Sequence, residues 1–179
     1  MGSSSIHLPI FVVGFMGSGK TTLGKKLSKL ANLPFIDLDQ QIVDTSGMSI
    51  SDYFKQHGEE QFRLLEEETL KSTPTHSGAI VSTGGGTPCF HDNMTWMNEH
   101  GLTLYLNLAP KVILDRLLAS ERSNRPLLAS MDDDELLSSI EDKLENRSLF
   151  YEKAQIQINP LRETPQSILD ILIKEIQSK

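Results

Sequence analysis

The octapeptide Gly14-Phe15-Met16-Gly17-Ser18-Gly19-Lys20-Thr21 constrains this chain more than any other stretch. It fits G-x-x-x-x-G-K-[ST], the pattern of a phosphate-binding loop. Pro9-Ile10-Phe11-Val12-Val13 before it is a short apolar run of the kind a buried strand requires. After it, Leu23, Leu27, Leu30 and Ala31 recur at helical spacing. The glycines are therefore expected on a strand-to-helix turn, with Gly14, Gly17 and Gly19 free to take positive φ. Freed amides at a helix N-terminus form an anion site. Lys20 can then reach β- and γ-phosphates, and the Thr21 hydroxyl can ligate Mg²⁺.

A chain of 179 residues favours one domain, spanning 1–179, with a real core. The formal net charge of −7 argues against nucleic acid as the main ligand, which needs clustered Lys and Arg. No apolar run approaches the roughly 20 residues of a membrane span, so no membrane partner is expected. Met1-Gly2-Ser3-Ser4-Ser5 lacks the apolar core of a signal peptide, and Ile6 breaks the myristoylation pattern. A single cysteine, Cys89, excludes an internal disulfide and fits a reducing compartment, so a cytoplasmic protein is expected. Cys89 reads as a small packing residue. His7, His57, His76, His91 and His100 show no metal-ligand spacing.

Apolar strands and helical stripes alternate along the chain. That order predicts an α/β fold with a five-stranded parallel sheet and helices on both faces. Asn32 is a plausible helix C-cap and Pro34 stops continuation. Leu33 to Ile36 reads as a second strand ending at Asp37-Leu38-Asp39. A short helix over 40–44 closes at Ser46-Gly47. Ser49 caps the next helix, Gly58 breaks it, and a longer one runs over 59–71. Ala79-Ile80-Val81-Ser82-Thr83 is a strand that Gly84-Gly85-Gly86 ends abruptly. Further on come a helix over 92–99, a strand over 102–108, and a helix opened by Pro110. Residues 121–134 lack apolar periodicity and read as a long loop, carrying Asp132-Asp133-Asp134, which repel one another. Leu136, Leu137, Ile140 and Leu144 stripe a helix that ends near Arg147. Gln155-Ile156-Gln157-Ile158 is a strand, and Thr164-Pro165 opens the last helix.

In parallel α/β sheets ligands bind beyond the C-terminal strand ends. The second strand end supplies Asp37 and Asp39, whose carboxylates project to the same side at strand spacing. One could hold water on a metal while the other accepts a proton from a hydroxyl; an Asp capping the next helix is the bland alternative. Gly84-Gly85-Gly86 suggests that something approaches bare backbone closely, against the alternative of a tight turn. Ser82 stands where many phosphate-loop ATPases and GTPases carry a strand-end Asp, which leaves that metal-side role to Asp37. No guanine-recognition signature occurs. Arg63, Arg125 and Arg147 stand out, but Arg63 could be a surface ion-pair partner of Glu59 or Glu67 and Arg147 a helix C-terminal charge.

Taken in order, these segments resemble the shikimate kinase family. The resemblance rests on the phosphate loop through Gly24, on Asp37-Leu38-Asp39, and on Ser49-Ile50 leading to Phe54. It continues through Gly58-Glu59-Glu60-Gln61-Phe62-Arg63 with Glu66, Ser82-Thr83-Gly84-Gly85-Gly86, Arg125-Pro126-Leu127-Leu128 and Arg147-Ser148-Leu149-Phe150-Tyr151. It implies a phosphate-loop fold like that of nucleoside monophosphate kinases, with a mobile lid over about 120–134 and a substrate-binding subregion over about 37–71. It implies ATP-dependent phosphorylation of the shikimate 3-hydroxyl, with Mg²⁺, on the route to chorismate and aromatic amino acids.

The same resemblance assigns roles by position. Lys20, Asp39 and Arg125 are catalytic. Gly17, Ser18, Gly19, Lys20, Thr21, Thr22, Arg125 and Arg162 bind ATP. Asp39, Arg63, Gly85, Gly86 and Arg147 bind shikimate, and Phe54, Phe62 and Pro126 form the apolar wall. Thr21, and Asp37 through water, serve the metal. The segment from Arg116 to Arg125 departs in length, so either Arg116 or Arg122 packs on adenine. The expected partners are shikimate and ATP, with a monomeric chain. The alternatives are a phosphate-loop kinase for gluconate, another small hydroxylated acid or a nucleotide, and a non-catalytic nucleotide-binding relative.

Overall fold

A computed structural model describes residues 6–121 and 132–178. In chain order the elements are β1 (Pro9–Val13), α1 (Lys20–Ala31), β2 (Phe35–Asp37), α2 (Leu38–Ser46) and α3 (Ile50–Lys71). There follow β3 (Ala79–Ser82), a 3-10 turn (Thr87–Cys89), α4 (Asn93–His100) and β4 (Leu102–Leu106). The chain then runs through α5 (Pro110–Glu121), α6 (Asp133–Tyr151), β5 (Ile156–Ile158) and α7 (Pro165–Gln177). The five strands form one parallel sheet in the order β2-β3-β1-β4-β5, as the alternation predicts.

The central strand β1 is apolar at every position because both sheet faces are covered. Alternation still sorts its side chains. Phe11 and Val13 face a core with Leu70 of α3, Met94 and Met97 of α4, Ile113 and Leu117 of α5, and Ile140 and Tyr151 of α6. Ile10 and Val12 face the opposite core, where α1 supplies Leu23 and Leu27 and α7 supplies Ile168, Leu169 and Leu172. Leu30 does not join this stripe; it is exposed.

Local punctuation holds where it was expected. Asn32 and Gly47 take left-handed conformations at helix C-caps. Ser49 caps α3 by accepting the Asp52 N–H, and Thr164 caps α7. Gly58 leaves the helical region at φ 80° and ψ 174°, so it breaks the helix as expected, and α3 is two helical stretches meeting at a kink.

Two expectations need correction. Residues 132–134 are not loop: Asp132 accepts the Glu135 N–H at 2.8 Å, and the Glu135 side chain accepts the Asp132 N–H at 3.4 Å. This capping box starts α6, and Asp133 and Asp134 lie in its first turn, where carboxylates favour the helix dipole. The helix also continues past Arg147 to Tyr151, whose buried side chain anchors that last turn in the core. Arg147 therefore lies inside the helix and does not serve its C-terminal end. The rest of the expected lid segment, residues 122–131 with Arg122, Arg125 and Pro126, lies outside the described residues. Among the described residues no helix is long and apolar enough to cross a membrane.

Gly24 sets how closely α1 approaches β2. A methyl group there would meet the Phe35 ring at 2.6 Å and Ile80 at 3.5 Å. Gly24→Ala is expected to lower stability by about 1–2 kcal/mol, since overpacking outweighs the gain in helix propensity. Urea denaturation checks this, and Phe35→Leu should recover the loss. A more stable Gly24→Ala protein would contradict the tight seam.

Candidate active site

The phosphate loop joins β1 to α1 as its glycine spacing predicts. Gly14, Gly17 and Gly19 have φ of 146°, 75° and 96°. Ser18 is buried within the loop. Arg116 of α5 donates from Nη1 to Ser18 O at 2.8 Å and to Gly17 O at 3.4 Å, so it braces the loop from outside. Lys20 is 9% exposed and donates from Nζ to Gly14 O at 2.9 Å and Phe15 O at 3.0 Å. Burial pulls its pKa down to about 8, against the attraction of Asp39 and then Asp37, while Arg147 adds to the lowering. Four charged groups thus share one local field at the strand ends.

Thr21 Oγ1 donates to Asp37 Oδ2 at 2.9 Å and lies 3.3 Å from Ser82 Oγ. Asp37 Oδ1 accepts the Gln40 N–H at 3.4 Å. The carboxylate therefore caps α2 and faces the loop at once; the two readings of it are not exclusive. The strand-spacing argument for Asp39 fails, because β2 ends at Asp37 and Asp39 lies in the first turn of α2. A cleft of about 620 Å³ lined by Thr21, Lys25, Asp37 and Asp39 opens beside them. Thr22 is exposed on α1. Arg162 is exposed in the turn before α7, its N–H bonded to Asn159 O at 3.0 Å.

The three glycines after β3 are closely approached by other parts of the chain. A methyl group on Gly84 would stand 2.7 Å from Glu66 Oε1 and 2.8 Å from both Asp39 Oδ1 and Thr87 Oγ1. One on Gly85 would lie 3.3 Å from Met16 N and 3.8 Å from Arg147 Nη1, and one on Gly86 would strike Arg63 Nη1 at 2.6 Å. The expected close approach to bare backbone is real, and the protein's own site residues make it.

Arg63 is 9% exposed, far too buried for a simple surface partner. It does pair along α3: Nη1 donates to Glu66 Oε2 at 2.8 Å, and Nη2 donates to Glu59 Oε1 at 3.0 Å. Glu59 is 60% exposed, so that second pair contributes little. The guanidinium carbon also lies 3.9 Å from the Phe90 ring centre, 5.3 Å from Phe62 and 5.7 Å from Phe54. Arg147 stands over Phe15 at 5.5 Å.

Three members of this arrangement carried no assigned role in the sequence reading. Glu66 is buried and accepts the Thr87 hydroxyl at 2.6 Å. Tyr151 donates its hydroxyl to Gly85 O at 2.5 Å, one helical turn on from Arg147. Only the i,i+3 spacing of Arg63 and Glu66 was a local signal for any of them. Cys89 packs against the core, and burial pushes its thiol up to about 11, which suits packing and not nucleophilic attack.

Residues 16–177 match the profile of the family described as shikimate kinase. The shikimate kinase of Bacteroides thetaiotaomicron is 43% identical over 150 residues, covering 84% of this chain and 85% of that one. A crystal structure of shikimate kinase from the same organism superposes with a TM-score of 0.82 at 39% identity, covering 96% of this chain and 97% of that chain. Shikimate kinase from Acinetobacter baumannii, solved in complex with shikimate, gives 0.81 at 28% identity over 99% of this chain and 98% of that one.

The Lys20 environment sets a pH dependence. Its folded pKa is lowered to about 8, so the cation is present below that pH and lost above it. With Lys20 proposed as a triphosphate contact, ATP affinity of the free protein should fall as pH rises through about 8, and a bound triphosphate would hold the proton on. The expected result is that kcat/KM for ATP declines above pH 8 and kcat declines only at higher pH. Lys20→Met should bind ATP weakly at every pH, with no such alkaline limb. An ATP affinity that is flat from pH 7 to 10 in the unaltered protein would overturn this.

Proposed function

The chain belongs to the shikimate kinase family, and from that premise we propose a division of labour among its residues. It is a kinase that uses ATP to phosphorylate shikimate, a step toward chorismate and the aromatic amino acids. The acceptor atom is the 3-hydroxyl.

Phosphoryl transfer needs positioning and charge neutralisation more than covalent chemistry. The loop amides at the start of α1 receive the triphosphate, with Gly17, Ser18, Gly19, Thr21 and Thr22 along its path. Lys20 exchanges its bonds to Gly14 and Phe15 for the phosphates and offsets their charge. The oxygens of Thr21, Asp37 and Ser82 suit Mg²⁺: all are hard donors, and one carboxylate is the usual protein share of a nucleotide-bound magnesium. Among the described residues no cluster of three acidic, His or Cys groups forms a self-sufficient metal site. A bound Mg²⁺ would be held on the Thr21 and Asp37 side of the loop and would supply positive charge against that of the triphosphate. Arg125 serves the transferred group, on the strength of its Arg125-Pro126-Leu127-Leu128 motif, and Arg162 serves adenine. The protein acts as a monomer in the cytoplasm.

Asp39 orients the acceptor hydroxyl and takes its proton. Arg63 and Arg147 hold the substrate carboxylate through planar, charge-assisted hydrogen bonds. Gly85 and Gly86 line the substrate beneath them, and Phe54 and Phe62, with ring centres 4.3 Å apart, form an apolar wall. One observation carries this reading. Consecutive glycines after β3 lie beside Asp39 with Glu66 and Thr87, then beside Met16 N with Arg147 at 3.8 Å, then against Arg63, so the three groups we assign to the acceptor share one short ledge.

Asp39→Asn keeps shape but cannot hold the proton. It should leave shikimate and ATP binding nearly intact and lower kcat by at least about 100-fold. A larger kcat loss in Asp37→Asn, with binding retained, would reverse the two roles.

The clamp has a separate test. Arg63→Ala and Arg147→Ala should each weaken shikimate binding by about 10- to 150-fold, the scale of one charge-assisted hydrogen bond, with ATP affinity held. Titrations of both ligands, with thermal melts as control, read this out. Unchanged shikimate affinity in both variants would remove the carboxylate clamp.

A further inference from the structure

Arg63 needs its guanidinium plane presented correctly to grip a carboxylate, yet its carbon stem is long and flexible. Its two ion pairs do not fix that plane equally, since Glu66 is buried and Glu59 is mostly exposed. Of the three aromatic rings around the guanidinium, Phe90 is the nearest, with the guanidinium carbon 3.9 Å from its ring centre. Phe90 is itself fastened on both sides. Before it, Thr87 donates to Glu66 of α3, and Cys89 N–H donates to Gly86 O at 2.8 Å. After it, His91 pairs with Glu67 of α3, and Asn93 Nδ2 donates to Thr87 O at 3.0 Å. His91 has a φ of 49°, a left-handed conformation that a non-glycine residue keeps only where its surroundings hold it. The segment over 87–93 is thus tied to consecutive residues of α3, and the ring between the ties covers Arg63.

We propose that Phe90 is a positioning residue for the acceptor site. Its ring stacks on the Arg63 guanidinium and holds the edge of that group toward the substrate carboxylate above Gly86. The inference rests on the reading of Arg63 as a carboxylate ligand. Phe90 touches no reacting atom and acts through Arg63 alone.

The test is a double-mutant cycle read as steady-state kinetics. Phe90→Leu should raise the shikimate KM by about 2- to 30-fold, the range of a cation–π contact, and leave the ATP KM unchanged. Phe90→Tyr, which retains the ring face, should recover most of the loss. In an Arg63→Ala background, Phe90→Leu should add nothing further. If Arg63→Ala raises the shikimate KM but Phe90→Leu does not, the positioning role fails and the clamp stands. If Phe90→Leu raises KM equally with and without Arg63, the ring acts by packing and the proposal is overturned. If Arg63→Ala leaves KM unchanged, the clamp itself fails and the proposal falls with it.

Discussion

The acceptor half of the site leans on one stretch of uncovered backbone. Gly84 and Gly86 leave room that a single methyl group at either would fill, and Asp39, Glu66, Thr87 and Arg63 use it. Three glycines in a row weaken a chain entropically. Here the loss is confined to a strand end whose preceding residues are fully buried, so the ledge is held by the sheet and not by its own side chains. A backbone floor under polar groups held by hydrogen bonds is the arrangement that positioning-dominated catalysis favours.

Charge is arranged on that floor with little slack. Glu66 is 2% exposed, and its two oxygens are engaged by Arg63 and Thr87. A buried carboxylate with both oxygens satisfied is tolerable where an unpaired one is not. Lys20 is the opposite case. Its bonds are to neutral carbonyls, so burial prevails over the pull of Asp39 and Asp37. One cation is held by a buried carboxylate, and the other by carbonyl dipoles.

Much of this was legible in the chain itself, for identifiable reasons. The phosphate loop, the caps at Asn32, Gly47 and Ser49 and the kink at Gly58 depend on backbone torsions that neighbouring residues specify. The parallel sheet followed from alternation. The start of α6 was misread because three adjacent aspartates were weighed against one another and not against a helix N-terminus. Its end was misread because Tyr151 is held by the core and by Gly85, a contact 66 residues away in sequence. Thr87 and Phe90 were opaque for the same cause: what gives them meaning is a segment folded across α3, and no periodicity encodes that. Asp39 was identified by family pattern, while the spacing argument offered for it does not survive the strand ending at Asp37.

Gly58 has φ 80° and ψ 174°, and a methyl group there would meet nothing within 4 Å. Torsion alone, and not crowding, reserves the position for glycine. The helix it interrupts carries Phe54 on one side and Arg63 with Glu66 on the other. In an unbroken helix Phe54 and Phe62 would stand about 12 Å apart along the axis. The bend brings their ring centres to 4.3 Å and sets Phe54 within 5.7 Å of the Arg63 guanidinium, so two backbone angles assemble an aromatic pair and a buried cation on one side of a folded-back helix.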